Sequence, residues 1–187
     1  MLRTPSVLTL YCLVGSIAWA AQMTSESFAR QATAAGISQV ELGNIAAQKA
    51  ENPAVKSLAE ALVKDHAQTT SELRTIARAE SIVLPTALPA DADATAHDLS
   101  QKSGTAFDRA YLAQMVQDHE KAVALFRGAE TTDSVGSDLR DFAHKALPTL
   151  EHHLEEARQL DQQLGVVADQ DSGPPSAPSL LSVEVVP

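Results

Sequence analysis

The segment MVQDHEKAVALF, residues Met115–Phe126, has the apolar spacing of an amphipathic helix, yet His119 stands where a core leucine is expected. Apolar residues recur with this histidine at steps of three and four, which places them all on one helix face. The segment LVKDHAQTTSEL, Leu62–Leu73, repeats the arrangement around His66, again after Val-x-Asp. Two Asp-His pairs are therefore predicted on helices whose inner faces otherwise have core composition.

Outward from these segments, the same period predicts four long helices, and no stretch alternates with period two. Asn52-Pro53 ends the first helix and begins the second, with Asn52 as N-cap and Pro53 at the first helical position. Pro85 and Pro89 interrupt the chain before the third helix. The predicted spans are Ser25–Ala50, Pro53–Ser81, Thr105–Ala129 and Ser137–Leu164, with a short helix around Asp93–Lys102.

These spans predict an all-α fold, an antiparallel four-helix bundle with a longer connection between helices 2 and 3. Ser25 or Ser27 is expected to cap the first helix, in which Gly36 is a weak point. Thr105-x-x-Asp108 resembles a capping box for the third helix, and Pro148 should kink the fourth.

One ionisable side chain from each predicted helix lies at or near a core position. Burying several unpaired polar groups would cost a few kcal/mol each, so these groups must satisfy one another or share a ligand. Imidazole and carboxylate groups bind zinc, iron, copper or manganese. Two interpretations stay open: one shared transition-metal ion, or a metal-free polar network. The candidate ligands are Glu41, His66, His119 and His153.

Helical rise places Glu41 and His66 at nearly the same level, twelve and thirteen residues from Pro53. His119 and His153 differ by five to six residues, an offset of ~8 Å. Asp65 and Asp118 each precede a histidine and point ~100° away from it. They are predicted either to orient an imidazole through a hydrogen bond or to be solvated flanking residues.

The two ends of the chain differ in composition from the middle. Residues 1–20 have one charge, Arg3, an apolar run and Ala18-Trp19-Ala20, which together predict a cleaved signal peptide and a periplasmic or secreted protein. The alternative is a retained membrane anchor, for which an apolar run of about 15 residues is short. Residues 165–187 are rich in Gly, Pro and Ser and are predicted to be a disordered tail. Residues 24–164 form the expected domain.

The formal net charge of −10 at pH 7 excludes nucleic acid as an expected partner, because nucleic-acid binding needs a basic surface. No integral membrane segment is expected after removal of residues 1–20. The sole cysteine, Cys12, lies within them, so the mature chain offers neither a disulfide nor a thiolate ligand.

Three blocks resemble the exported bacterial family known as domain of unknown function 4142. They are FAR…ISQVELGNIAAQKAENPAVKSLAEALVKDH, SGTAFDRAYLAQMVQDHEKAVALF and LRDFAHKALPTLEHHLEEARQL, from about Phe28 to Leu164. The resemblance implies a ferritin-like bundle and no established activity. The Glu-x-x-His pattern of ferritin-like di-iron sites is missing, because Val63, Val116 and Leu150 stand three residues before the histidines.

The sequence favours two functions and no reaction. The first is a periplasmic bundle that binds one metal ion for storage, sensing or buffering. The second is a metal-free envelope interaction or stress-related structural protein, in which the His/Glu layer is a buried polar network. Motifs for a catalytic nucleophile, a phosphate-binding loop or haem are missing, so an enzyme is not the favoured interpretation.

Overall fold

The computed structural model describes residues 23–171 of the chain, with side-chain positions through residue 165. Within this part of the chain all regular secondary structure is helical. The five helices are α1 (Ser25–Lys49), α2 (Pro53–Ala79), α3 (Ala90–Ser100), α4 (Gly104–Thr131) and α5 (Ser137–Asp171). The predicted all-α fold class is confirmed.

Side-chain caps define the beginnings of α1 and α2. The predicted cap at Asn52 is confirmed, because its side chain accepts hydrogen bonds from the backbone N–H groups of Ala54 and Val55. For α1 the predicted cap at Ser25 or Ser27 is wrong, because the N-cap is Thr24, which forms a reciprocal capping box with Ser27. Both helices thus begin where polar side chains satisfy free N–H groups.

The helices pack as two hairpins, α1 with α2 and α4 with α5, which contact each other through α1·α4 and α2·α5. Gly36 allows the close approach of α1 to α2, because a Cβ atom at this position would overlap Thr70 Oγ1. The glycine predicted to be a weak point therefore serves the packing of the first hairpin, and α1 is continuous through it. The short α3 lies in the connection between the hairpins and packs against α1 and α4.

Two hydrophobic clusters fill the interior. The first contains Phe28, Leu73, Phe126 and Phe142, and the second contains Leu42, Leu62, Phe107 and Met115. On each of the four long helices, one end faces the first cluster and the other end faces the second. A band of buried polar residues lies between the two clusters on α1, α2 and α4, and on α5 His153 joins this band between Leu150 and Leu154 of the first cluster.

Two boundaries lie three or more residues from their predicted positions. α5 continues to Asp171, seven residues beyond Leu164, and α3 begins at Ala90, directly after Pro89. The predicted signal peptide and most of the predicted tail lie outside the described residues. Among the described helices, none has the length and apolar composition needed to cross a membrane.

Candidate metal centre

Three histidines from three different helices meet between the two hydrophobic clusters. His66 comes from α2, His119 from α4 and His153 from α5, and their relative exposures are 7%, 1% and 3%. On α2 and α4 the buried apolar positions before and after the histidine belong to opposite clusters, whereas on α5 Leu150 and Leu154 belong to the first cluster and Ala157 to the second. The three histidines predicted to face inward are therefore buried at one level of the protein.

The three imidazole rings form a nearly equilateral triangle. Ring centroids are 5.4 Å apart for His66 and His119, 5.6 Å for His66 and His153, and 5.5 Å for His119 and His153. One nitrogen from each ring can be chosen so that all three lie within 4.8 Å of one another. Ligand nitrogens around a tetrahedral ion with bonds of 2.0–2.1 Å are ~3.3 Å apart, so modest side-chain movement would close the triangle around a metal.

On two of the rings, hydrogen bonds assign the nitrogen that keeps its lone pair. His119 Nδ1 donates to the carbonyl oxygen of Met115 at 2.9 Å, which leaves Nε2 with a lone pair. His153 Nε2 donates to Asp65 Oδ2 at 3.1 Å, which leaves Nδ1 with a lone pair. His153 Nδ1 is buried and has no hydrogen-bond partner among the described residues. Histidines held in this way are typical of metal sites, where the second nitrogen is fixed by a carbonyl or a carboxylate.

The environment keeps the rings uncharged. Burial lowers the pKa of His66 from 6.5 to about 3, and the neighbouring His119 and His153 rings lower it in the same direction. Burial also lowers the pKa of His119 to about 4, against the opposing effect of its bond to Met115. The pKa of His153 is lowered by burial, although Asp65 acts in the other direction. Neutral imidazole is the form that binds metals, so the site is ready for a ligand at neutral pH.

The two aspartates differ in what they contact. Asp65 bonds to His153, which lies on another helix, rather than to the adjacent His66. Asp118 forms no hydrogen bond with any of the three histidines and accepts hydrogen bonds from Gln39 Nε2 at 3.2 Å and Gln114 Nε2 at 2.9 Å. Lys121 Nζ lies 3.8 Å from the same carboxylate. The interpretation of Asp118 as a residue that orients an imidazole is therefore wrong.

The assignment of Glu41 as a fourth ligand is also wrong. Glu41 is exposed on α1 and does not belong to the group of converging ligands. The residue that α1 contributes at this level is Gln39, which is 3% exposed. Two residues correspond to a rotation of ~200° around a helix, so burying Gln39 turns Glu41 to the outside.

A cleft of about 590 Å³ leads from the surface to the histidines between α1 and α4, with the beginning of α3 at one side. His66, His119 and Gln39 line its inner part, and Asp91 and Asp118 are also on its wall. The amide oxygen of Gln39, Oε1, is buried without a hydrogen-bond partner. Small residues along the seam, among them Ala35 and Ala122, leave the space open.

The family model described as "Domain of unknown function (DUF4142)" matches residues 15–160. Two solved structures are similar to the fold. One is a DUF305 protein from Streptomyces coelicolor, whose description suggests that it is secreted (18% identity, TM-score 0.65, 76% of this chain and 93% of that chain covered). The other is a DUF305 fragment from Deinococcus radiodurans (14% identity, TM-score 0.64, 76% and 95% covered). No curated protein matches the chain significantly.

Proposed function

The chain belongs to the DUF4142 family, whose description assigns no activity, and from that premise we propose that this protein binds one transition-metal ion through His66, His119 and His153. The observation that carries the proposal is the convergence of three buried, neutral imidazoles from three helices. A polar atom without a partner in a protein interior costs free energy. The unpartnered Nδ1 atom of His153 would gain a ligand bond when metal binds.

The donor set favours an ion that prefers nitrogen. Three imidazoles without a carboxylate ligand suit zinc, copper or ferrous iron better than manganese or magnesium. A divalent ion would bring two positive charges to three neutral ligands. Asp65, bonded to His153, and Asp118, on the cleft wall, supply two negative charges nearby.

The proposed setting is an exported ferritin-like four-helix bundle with a single-ion site. The two packed hairpins support the bundle, and residues 1–20 support export. The absence of a carboxylate from the converging group favours a mononuclear site over a carboxylate-bridged pair of irons. Storage, sensing or buffering of the ion are the functions such a site supports.

Metal-dependent thermal stability tests the proposal. The chain, purified without an affinity tag and dialysed against a chelator, should melt at a higher temperature as zinc is added. An ion present at 100 times its dissociation constant stabilises the folded state by about 2.7 kcal/mol. His119→Leu should abolish the zinc response. His144→Leu, which removes an exposed histidine from α5, should leave the response unchanged.

A pair of conservative variants tests the geometry of the site. Asp65→Asn should weaken zinc binding by about 10- to 100-fold, measured by calorimetry, because the carboxylate fixes the orientation of His153. Asp118→Asn removes the same charge from a residue that forms no hydrogen bond with a histidine. It should have a much smaller effect. Equal losses for both variants would contradict the role of Asp65.

The alternative is a metal-free polar network, which the 3.4 Å contact between His66 Nε2 and His119 Nε2 supports. In that case zinc, copper, manganese and anaerobic ferrous iron should leave the melting temperature unchanged. Replacement of all three histidines by apolar residues should then be nearly neutral or stabilising. No shift with any of these ions would refute the metal site.

A further inference from the structure

We propose that the cleft between α1 and α4 gives the metal an exchangeable fourth ligand, a small oxygen or nitrogen donor such as water. We further propose that Gln39 Oε1 positions this ligand by accepting a hydrogen bond from it. The inference rests on the proposed function and concerns what the site does once the ion is bound. It makes the centre an open one, whereas a purely structural ion is fully enclosed by protein ligands.

The number of protein donors is the first reason. Among the His, Cys, Asp and Glu side chains of the described residues, the converging group contains three ligands and no fourth. Zinc and related ions are four-coordinate or more in proteins, and sites with three protein ligands place water or substrate at the remaining position. We therefore place a ligand from solvent at the fourth position, and this ligand needs a route to the buried triangle.

The position of the cleft is the second reason. Among the three histidines, His66 and His119 line the cleft and His153 does not. The edge of the triangle formed by His66 and His119 is therefore adjacent to the cleft. The volume of about 590 Å³ is in the range of small-molecule sites and exceeds what one water needs.

Gln39 is the third reason. Its Nε2 group is used by Asp118, which fixes the orientation of the amide, while Oε1 is left as a buried acceptor without a partner. An acceptor of this kind requires a hydrogen-bond donor. A metal-bound water or another protic ligand in the cleft would donate to it, whereas a bare anion would not.

Azide binding to the cobalt-substituted protein tests the inference. Azide should displace the water and change the visible absorption spectrum of the cobalt ion. In Gln39→Leu, which removes the acceptor but keeps a similar volume, azide should bind about 5-fold more tightly. The competing water would then have lost one hydrogen bond, worth ~1 kcal/mol. An effect in this direction would not arise from a merely structural role of Gln39.

Filling the cleft tests the route. Ala35 lines the cleft, so Ala35→Trp should slow azide binding at least 10-fold. Leu125 also lines the cleft, and Leu125→Trp serves as a second variant if the first misfolds. Ala124→Trp, on an exposed face of α4 away from the cleft, is the matched control and should not slow it. Equal rates in all variants would overturn the cleft as the route.

The outcomes separate the two proposals. If cobalt and zinc bind and azide leaves the spectrum unchanged, the site is closed and this inference alone is overturned. The same holds if Gln39→Leu weakens metal binding 100-fold, because Gln39 would then be the fourth ligand itself. If no metal binds, the proposed function is overturned, and the fourth ligand with it.

Discussion

His66 and His119 are histidines that do not behave as physiological-pH switches. An imidazole at the surface titrates near pH 6.5, whereas burial lowers the pKa of His66 to about 3 and that of His119 to about 4. Both rings are therefore neutral throughout the pH range in which the protein is expected to work. The consequence appears in the stability of the metal-free protein.

We predict that the metal-free protein loses stability as the pH falls from about 6.5 towards 4. In the unfolded chain both histidines regain a pKa near 6.5, so within this range the unfolded state binds more protons than the folded state. The free energy of unfolding then falls with decreasing pH, by about 1.4 kcal/mol per pH unit for each histidine. Above pH 6.5 the two imidazoles are neutral in both the folded and the unfolded state, so this loss of stability disappears.

Urea unfolding at pH 7, 6 and 5 in the presence of a chelator measures this dependence. The double variant His66→Leu/His119→Leu should have a smaller slope than the unmodified chain. Replacement of the exposed His97 by glutamine should leave the slope unchanged. A slope that is the same in all three proteins would show that the two buried rings titrate normally.

Single positions show how far the sequence predicts the site. The inward histidines were predictable because each interrupts an apolar stripe at helical spacing. The stripe of α1 was harder to identify because small residues, among them Ala32 and Gly36, form much of its buried face. Following Phe28, Ala32, Gly36 and Leu42 at steps of three and four leads through Gln39. Glu41 is the ionisable residue nearest to this face, and it was therefore predicted as the ligand in place of Gln39.

The connection between α1 and α2 depends on a residue from a different helix. Asp108 on α4 is 2% exposed, and its carboxylate accepts hydrogen bonds from the backbone N–H groups of Glu51 and Asn52. It does not cap its own helix, for which Ser103 is the N-cap position without a side-chain bond. The capping box predicted at Thr105-x-x-Asp108 is therefore wrong.

We predict that Asp108→Ala destabilises the protein by about 1–3 kcal/mol, because two backbone donors in a partly buried turn lose a charged acceptor. Thr105→Ala, at the exposed residue of the mispredicted capping box, should change the free energy of unfolding by less than about 0.5 kcal/mol. Denaturant unfolding compares the two. If Thr105→Ala destabilised the protein more than Asp108→Ala, the predicted capping box at Thr105 would have to be reinstated.

Asn52 and Asp108 show which helix-end contacts can be predicted from the sequence and which cannot. Asn52 caps its own helix, so its role follows from neighbouring residues in the chain. Asp108 acts across 56 residues, and only the packing of the hairpins brings it to the turn. The same applies to Asp65, whose partner His153 is 88 residues away.

For the whole molecule, helical spacing and connection lengths predict the fold class and the two hairpins. The predicted offset of ~8 Å between His119 and His153 is not present at the rings, whose centroids are 5.5 Å apart. Part of the difference arises because α4 extends to Thr131, two residues further than expected. Buried Val135 draws the connection between α4 and α5 into the first cluster. The burial of Val135 could not be predicted from helical periodicity, because this residue lies in the connection and not in a helix.

The polar band between the two hydrophobic clusters has a consequence for folding kinetics. If one hairpin docked a helical turn out of alignment, an imidazole would lie among hydrocarbon side chains, at a cost of a few kcal/mol. The band therefore raises the free energy of misaligned compact intermediates, whether or not a metal binds. Isomerisation of X-Pro bonds adds the same slow phase to every variant, and apart from it we expect the unmodified chain to refold in one phase. The variant with leucine at positions 66, 119 and 153 should show an additional slow phase in stopped-flow refolding, even if its equilibrium stability is equal. The same set of phases in both proteins would mean that the apolar clusters alone align the hairpins.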